Sequence, residues 1–320
     1  MKALITGATG FIGSHLCEEL IKRGYNVTCL LRDGSNIKWI ENLNIKFIKG
    51  DCRDLDSLVE NIKDYDYIFH LAGLTKSCSG DEFYCINHQG TENILKAVVK
   101  NNKSLKRFIY LSSLSAVGPS RNGRPVNEES LPSPVSDYGR SKLEGEKAVL
   151  RYKDLIPITI LRPPAVYGPR DRDLLILFKI IKKGFFPEWG SCCYSLIYVD
   201  DLVNGIILSA ESDKSIGKIY FLSDNNYYTA TDIAIEIANA LEAKITRLKF
   251  PRILMPIMGY LGEKFYKQSI INRDKVKELL CSHWICEAKK AYEEIGFSTN
   301  VSLKKGIKWT ADWYRIHRWL

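Results

Sequence analysis

The opening of the chain constrains its fold more than any other stretch. Lys2-Ala3-Leu4-Ile5 runs into Thr6-Gly7-Ala8-Thr9-Gly10-Phe11-Ile12-Gly13, after which Ile12, Leu16 and Leu20 recur at helical spacing as far as Arg23-Gly24. The apolar run is too short for a helix and reads as a strand, whereas the later period reads as an amphipathic helix. Between them stand glycines spaced Gly-x-x-Gly-x-x-Gly. Strand, glycine turn and helix open a dinucleotide-binding βαβ unit, where a Cβ would block the turn, the pyrophosphate or the helix–strand contact. The helix N-terminus then turns free N–H groups and a partial positive charge toward the phosphates.

A chain of 320 residues can bury a large core and suits one nucleotide-binding domain plus a smaller second one. Its net charge of +9 either draws anionic ligands or is ordinary surface lysine. The basic residues are scattered, with no block interleaved with aromatics, which argues against a nucleic-acid partner. No apolar run approaches the roughly 20 residues that span a bilayer, so no transmembrane segment is expected. An N-terminus that is itself a strand does not fit a signal peptide. The nine cysteines have no Cys-x-x-Cys pair, so neither a metal site nor a disulfide framework is expected. Adjacent Cys192-Cys193 reads as idle thiols in a reducing cytoplasm.

Farther along, Asn26 to Leu31 is a second strand that ends in Arg32-Asp33-Gly34-Ser35-Asn36. The residue just past this strand faces the adenosine ribose. An acid there would bond the 2′-hydroxyl and repel a 2′-phosphate. Arg32 instead offers a planar donor fork suited to phosphate, with Ser35 adding a hydroxyl and Asp33 working against it. NADP is therefore the expected cofactor and NAD the alternative. A third strand, Ile45 to Lys49, precedes Asp51, which is placed to cap the helix from Leu55 to Lys63. A fourth, Tyr67 to Leu71, stops at the small residues Ala72-Gly73, and a fifth, Arg107 to Leu111, stops at Ser112-Ser113. Ligands of open parallel sheets sit at the carboxyl ends of strands, where those hydroxyls lie. After a loop from Gly118 to Ser136 come Tyr138 and Lys142, four apart and so on one helix face. A sixth strand, Ile158 to Leu161, runs into Arg162-Pro163-Pro164-Ala165-Val166-Tyr167-Gly168-Pro169-Arg170.

Thr-Gly-x-x-Gly-Phe-Ile-Gly, the strand-end serine and Tyr-x-x-x-Lys together resemble the extended branch of the short-chain dehydrogenase/reductase superfamily, the NAD-dependent epimerase/dehydratase family. His70-Leu71-Ala72-Gly73 and the Arg162 to Pro169 segment are near matches to further family motifs. The resemblance implies an α/β fold, a doubly wound parallel Rossmann sheet with a smaller, mostly helical C-terminal substrate lobe. Residues 1–168, with 195–211 returning to them, form the cofactor domain, and 169–320 form the lobe. Implied as catalytic are Ser113, Tyr138 and Lys142, with Ser112 the rival serine. Implied around the cofactor are Gly7, Thr9, Gly10, Phe11, Ile12, Gly13, Arg32, Asp51, Cys52, Leu71, Ala72, Gly73, Tyr138, Lys142, Pro163 and Val166. His70 and Asn87 read as structural groups. Arg170 either reaches an anionic substrate or pairs with Asp171 or Asp173. Of Asp200-Asp201, one acid is expected to cap a helix.

Each group has a chemical task. A tyrosine with its ordinary pKa near 10 is a poor base at neutral pH, and a neighbouring ammonium or an oxidised nicotinamide favours its phenolate. Tyr138 takes a proton from a substrate hydroxyl as hydride leaves the carbon, or donates one in the reductive direction. Lys142 also holds the nicotinamide ribose, and Ser113 bonds the reacting oxygen. Related 4,6-dehydratases carry Asp-Glu after the serine and related decarboxylases a glutamate. Leu114 and Ser115 stand there instead, which disfavours both reactions. Expected, then, is an NAD(P)-dependent oxidoreductase acting on a carbonyl or secondary alcohol. The alternatives are a nucleotide-sugar epimerase and a non-catalytic cofactor-binding sensor or scaffold. Kin are often dimers, so the resemblance allows a homodimer. The apolar stretch from Pro251 to Tyr266 reads as core, as a cover for a hydrophobic substrate pocket, or as a membrane-surface helix. The tail from Trp309 to Leu320 reads as a docking helix.

Overall fold

The computed structural model describes every residue except Cys78, Met258 and 261–272. Seven parallel strands form the central sheet: β1 (Lys2–Thr6), β2 (Asn26–Leu31), β3 (Lys46–Lys49), β4 (Tyr67–His70), β5 (Arg107–Leu111), β6 (Ile158–Arg162) and a last strand, Lys218–Phe221. Across the sheet the order runs from Lys218–Phe221 through β6, β5, β4, β1 and β2 to β3. The chain winds outward from β1 to β3, then returns to the other side of β1. The crevice for a ligand therefore opens at the carboxyl ends of β1 and β4.

Both faces of this sheet are covered, which is why its central strands read as nearly unbroken apolar runs. Alternation along each strand divides their side chains between two cores. Ala3, Ile5, Phe69 and Ile109 face a core shared with α1 (Phe11–Lys22) and the helix Val199–Glu211. Leu4, Ile68, Phe108 and Tyr110 face the other, with α2 (Leu55–Asn61), α4 (Gly90–Asn101) and α5 (Asp137–Leu150). Between α2 and α4 lies the short helix α3 (Gly80–Tyr84).

The strand Lys218–Phe221 pairs with β6 in register from Lys218↔Thr159 to Phe221↔Arg162. So the chain returns to the sheet twice past residue 168, once as the helix Val199–Glu211 and once as this strand. Asp200 and Asp201 do not cap that helix. The Asp201 carboxylate accepts the Asn300 and Val301 amides at 3.0 and 3.1 Å, and Asp200 lies 3.5 Å from the His15 ring. The rest of the C-terminal half is mostly helical, with Leu174–Lys182, Ala230–Leu241, Arg273–Leu279, Lys289–Ile295 and Leu303–Ile316 and a few short strands. The last helix buries Leu303, Ile307 and Ala311 in the same core as Ile233 and Ile237. Trp313 and Trp319 then meet Trp39 at 5.5 and 6.3 Å between ring centroids, so the tail docks on the first domain as its tryptophans suggest.

Among the described residues no helix is long and apolar enough to cross a membrane, and no cluster of His, Cys, Asp or Glu is placed to hold a metal. Cys192 and Cys193 are free thiols, the first buried. Of the apolar stretch 251–266, Met258 and 261–266 lie outside the described residues.

Candidate active site

The glycine turn is built as its spacing requires. Gly7 adopts φ +76°, and a Cβ on it would come within 2.7 Å of the Ala72 nitrogen and the Leu71 carbonyl carbon. A Cβ on Gly13 would stand 2.2 Å from the Gly7 oxygen, so only glycine lets α1 pack this closely on the turn. Gly10 is the N-cap of α1 and supplies no side-chain acceptor, and the first helical turn contains no acid. The free amides of that turn, which an α-helix cannot satisfy internally, face the crevice between β1 and β4. Thr9, Phe11 and Ile12 ride on the same turn. A cradle kept clear by glycine, with unpaired donors and no opposing carboxylate, fits the diphosphate of a dinucleotide.

At the far side of the crevice the chain settles which serine is free. Ser112 gives its hydroxyl to Glu146, whose two oxygens also take the Arg162 guanidinium at 2.9 and 2.7 Å, all of it buried. Ser113 caps a following 3₁₀ turn by accepting the Ser115 amide at 3.1 Å, and its hydroxyl lies near enough to the Tyr138 phenol to lower its pKa. Ser113, not Ser112, is therefore the serine at the tyrosine.

Tyr138 and Lys142 both lie on α5, whose N-cap Ser136 accepts the Gly139 amide. Burial pushes the Tyr138 phenol up to about 12, with the Ser113 hydroxyl opposing the shift and Glu278 adding to it. Burial also brings Lys142 down to about 7, against the pull of Glu146. Its ammonium bonds the Leu111 carbonyl at 2.6 Å and lies 4.3 Å from the Tyr110 ring centroid. Burial of the phenol, not activation by Lys142, dominates the Tyr138 pKa.

Small residues line the floor of the crevice. The Ala72 amide donates to Thr6 at 3.2 Å, and a Cβ on Gly73 would sit 3.1 Å from Asn87 and 3.7 Å from the Lys142 nitrogen. Asn87 uses both ends of its amide, holding the Leu74 backbone and the Ser141 hydroxyl. His70 bonds Thr6 and Thr91 in the core at 2.7 and 3.0 Å, and burial holds its ring neutral, with a pKa near 3. Both are structural, as expected. Opposite, the Pro163 carbonyl accepts the Leu114 amide, and half-buried Val166 lies in a short strand paired with Leu196–Tyr198.

Near the expected ribose position Arg32 is exposed, and its charge helps keep the Asp51 carboxyl low. Asp33, which the sequence sets against phosphate, pairs with Lys49 at 2.7 Å. Asp51 does not cap α2; Asp54 does, accepting the Asp56 and Ser57 amides. The Asp51 carboxylate instead takes the Arg53 guanidinium and backbone amide. Cys52 packs where a Cβ on Gly90 would be only 3.1 Å away, and burial raises its thiol to about 12. Arg170 meets neither Asp171 nor Asp173. Its guanidinium bonds Ser14 at 3.0 Å and Glu18 of α1 and stacks over Trp39, so its charge is paired with Glu18.

One element of the site has no motif behind it. The helix Arg273–Leu279 lies across the start of α5. Asp274 accepts the Asp137 and Tyr138 amides at 2.7 and 3.2 Å, and Glu278 accepts the Ser136 hydroxyl at 2.7 Å. Lys275 pairs with Glu278 at 2.8 Å, and both charges act on the Tyr138 phenol. Acids and lysines are common on solvated helices, so nothing local in the sequence marks these.

Residues 3–222 match the NAD dependent epimerase/dehydratase family. The chain is 31% identical to the uncharacterized UDP-glucose epimerase YtcB of Bacillus subtilis, over 96% of this chain and 96% of that one. It is 29% identical to the ceramide reductase of Caulobacter vibrioides, over 99% of this chain and 95% of that one. Its fold is similar to that of the UDP-glucuronic acid 4-epimerase of Bacillus cereus solved with UDP-glucuronic acid and NAD. That likeness has a TM-score of 0.79 and 26% identity, covering 99% of this chain and all of that one.

Proposed function

Since the chain belongs to the NAD dependent epimerase/dehydratase family, we propose that it moves hydride between a nicotinamide cofactor and a substrate carbonyl or secondary alcohol, with Tyr138 as the acid/base. The observation that carries this is the grouping of Ser113 beside Tyr138, with Lys142 one turn along α5 and 3.7 Å from where a Cβ on Gly73 would stand at the crevice floor. The cofactor supplies the hydride, and the chain supplies position and the proton. Gly7, Thr9, Gly10, Phe11, Ile12 and Gly13 hold the diphosphate, and Leu71, Ala72, Gly73, Pro163 and Val166 border the nicotinamide half. Lys142 bonds the ribose, Ser113 orients the reacting oxygen, and Tyr138 delivers or removes the proton at that oxygen. Residues past 168 that do not return to the sheet form the lobe that selects the substrate.

Net reduction with NADPH is the reading we favour. A phenol held at about 12 is protonated at neutral pH, the form a carbonyl reduction consumes. Pairing of Asp33 with Lys49 removes an obstacle to a 2′-phosphate beside Arg32. Epimerisation of a nucleotide sugar is the second reading, supported by the relatives named for that reaction. The deciding assay follows cofactor absorbance with the cofactor at stoichiometric and at excess concentration, over nucleotide sugars and apolar ketones. A reductase consumes NADPH mole for mole with product. Many turnovers of substrate with no net oxidation would establish the epimerase.

A further inference from the structure

Phe185–Glu188 and Thr246–Lys249 pair in parallel as a two-stranded ribbon at the edge of the lobe, in register from Thr246↔Phe185 to Lys249↔Glu188. Alternation puts Phe185 and Leu248 on one face, and Phe250, whose amide bonds the Glu188 carbonyl, continues it. All three are exposed, as are Ile253, Leu254 and Ile257 just beyond Pro251, with Ile253 exposing 80% of its surface. A run of exposed apolar residues along one ribbon and the turn after it signals a contact surface.

Its charge says what it contacts. Residues 182–188 and 242–254 carry Lys182, Lys183, Lys244, Arg247, Lys249 and Arg252 against only Glu188 and Glu242. Arg252 is committed to the Trp189 carbonyl and the Ser282 hydroxyl. The other five cations are exposed and have no acidic partner among the described residues. A second copy is the wrong occupant, because a two-fold interface sets a patch against itself and would press these cations together. An anionic lipid surface accepts the apolar side chains and attracts the cations around them.

We propose that this face docks on an anionic bilayer. Its distance from the site is one helix. A Cβ on Gly259 would touch Val276 at 2.9 Å and Arg273 at 3.3 Å, and the same helix holds the Tyr138 amide through Asp274. Resting on the hydride-transfer reading, this places the mouth of the site where an apolar carbonyl substrate would leave the membrane.

The test sediments the full chain with vesicles of phosphatidylcholine alone and of phosphatidylcholine with phosphatidylglycerol. Binding is expected to the anionic vesicles only, and to fall with added salt. Arg247→Gln and Lys249→Gln should each weaken it about fivefold. Ile253→Ser should weaken it as well while leaving the melting temperature unchanged, since that side chain is exposed. Equal binding to both vesicles, binding to neither, or no effect of Ile253→Ser would overturn the proposal. So would a concentration-dependent dimer that Ile253→Ser abolishes, which would identify a second copy as the occupant. No arm of the assay requires turnover, so its failure leaves the reaction assigned to Tyr138 untouched.

Discussion

Glu146→Gln isolates the buried charge behind the site. Glu146 and Arg162 expose only 2% and 5% of their side chains, and the carboxylate holds both the guanidinium and the Ser112 hydroxyl. The amide that replaces it fills the same volume but leaves Arg162 with no counter-charge in a dry environment. Breaking a buried pair from one side typically costs about 3–5 kcal/mol. Glu146 is also the one group that raises Lys142 against its burial, so the variant should bring that lysine below about 7. The sign follows from proton counting. The unfolded lysine keeps its proton to about 10.4, so between the folded and unfolded values the unfolded chain holds more protons and stability rises with pH. In the wild type that window opens near pH 7; in Glu146→Gln it should open lower. Urea unfolding of the cofactor-free protein across pH 6 to 10 measures both effects. Replacing both partners, Glu146→Met with Arg162→Met, should cost less than Glu146→Gln alone, because no charge is then stranded. A loss under about 1 kcal/mol for the single variant, or a double variant less stable than the single, would refute the reasoning.

Three further variants test the site. Arg32→Ala should erase a preference for NADPH over NADH worth about 1.5–3 kcal/mol, roughly ten- to a hundredfold in dissociation constant; equal constants in the wild type would remove the basis for it. Tyr138→Phe keeps the ring and removes the exchangeable proton, so turnover should fall by about 10²–10⁴ with cofactor affinity nearly unchanged. Lys142→Ala should impair both, and near-wild-type turnover by Tyr138→Phe would move the acid/base role elsewhere.

What was legible in the sequence is what local chemistry enforces. Gly7 and Gly13 sit where a Cβ would strike backbone, so the opening turn follows from residue type and spacing. The six strands up to Arg162 end within a residue or so of where their apolar runs do. Tyr138 and Lys142 needed only helical periodicity to share a face. Less was legible where a long-range partner decides the outcome. Nothing near Asp51 says that Arg53 takes its carboxylate and Asp54 the cap, and nothing near Arg170 says that Ser14 and Glu18 hold it. The strand Lys218–Phe221 has the pattern of any short strand, and only its pairing with β6 places it in the central sheet. Asp274 and Glu278 reach Ser136, Asp137 and Tyr138 across some 140 residues of chain, a juxtaposition no local pattern encodes.

That last contact bears on the choice between the two reactions. Asp274 places a carboxylate at the N-terminus of α5, where it is favoured by the helix dipole, and Glu278 lies close enough to raise the phenol beside it. The helix Arg273–Leu279 therefore acts on the protonation of Tyr138. An epimerase asks the same phenol to take a proton and return it within one turnover, which is served best by a pKa near ambient pH. A reductase asks it only to give one. Burial and the Glu278 charge both push toward the donor, whereas Ser113 and the Lys275 ammonium, paired with Glu278 at 2.8 Å, pull the other way. A bound substrate that drew Lys275 toward its own anion would leave Glu278 less compensated and the phenol more firmly protonated. A neutral, apolar carbonyl would leave the Lys275–Glu278 pair intact. The balance at Tyr138 thus depends on Glu278 and Lys275, carried by a helix outside the family-matched residues 3–222.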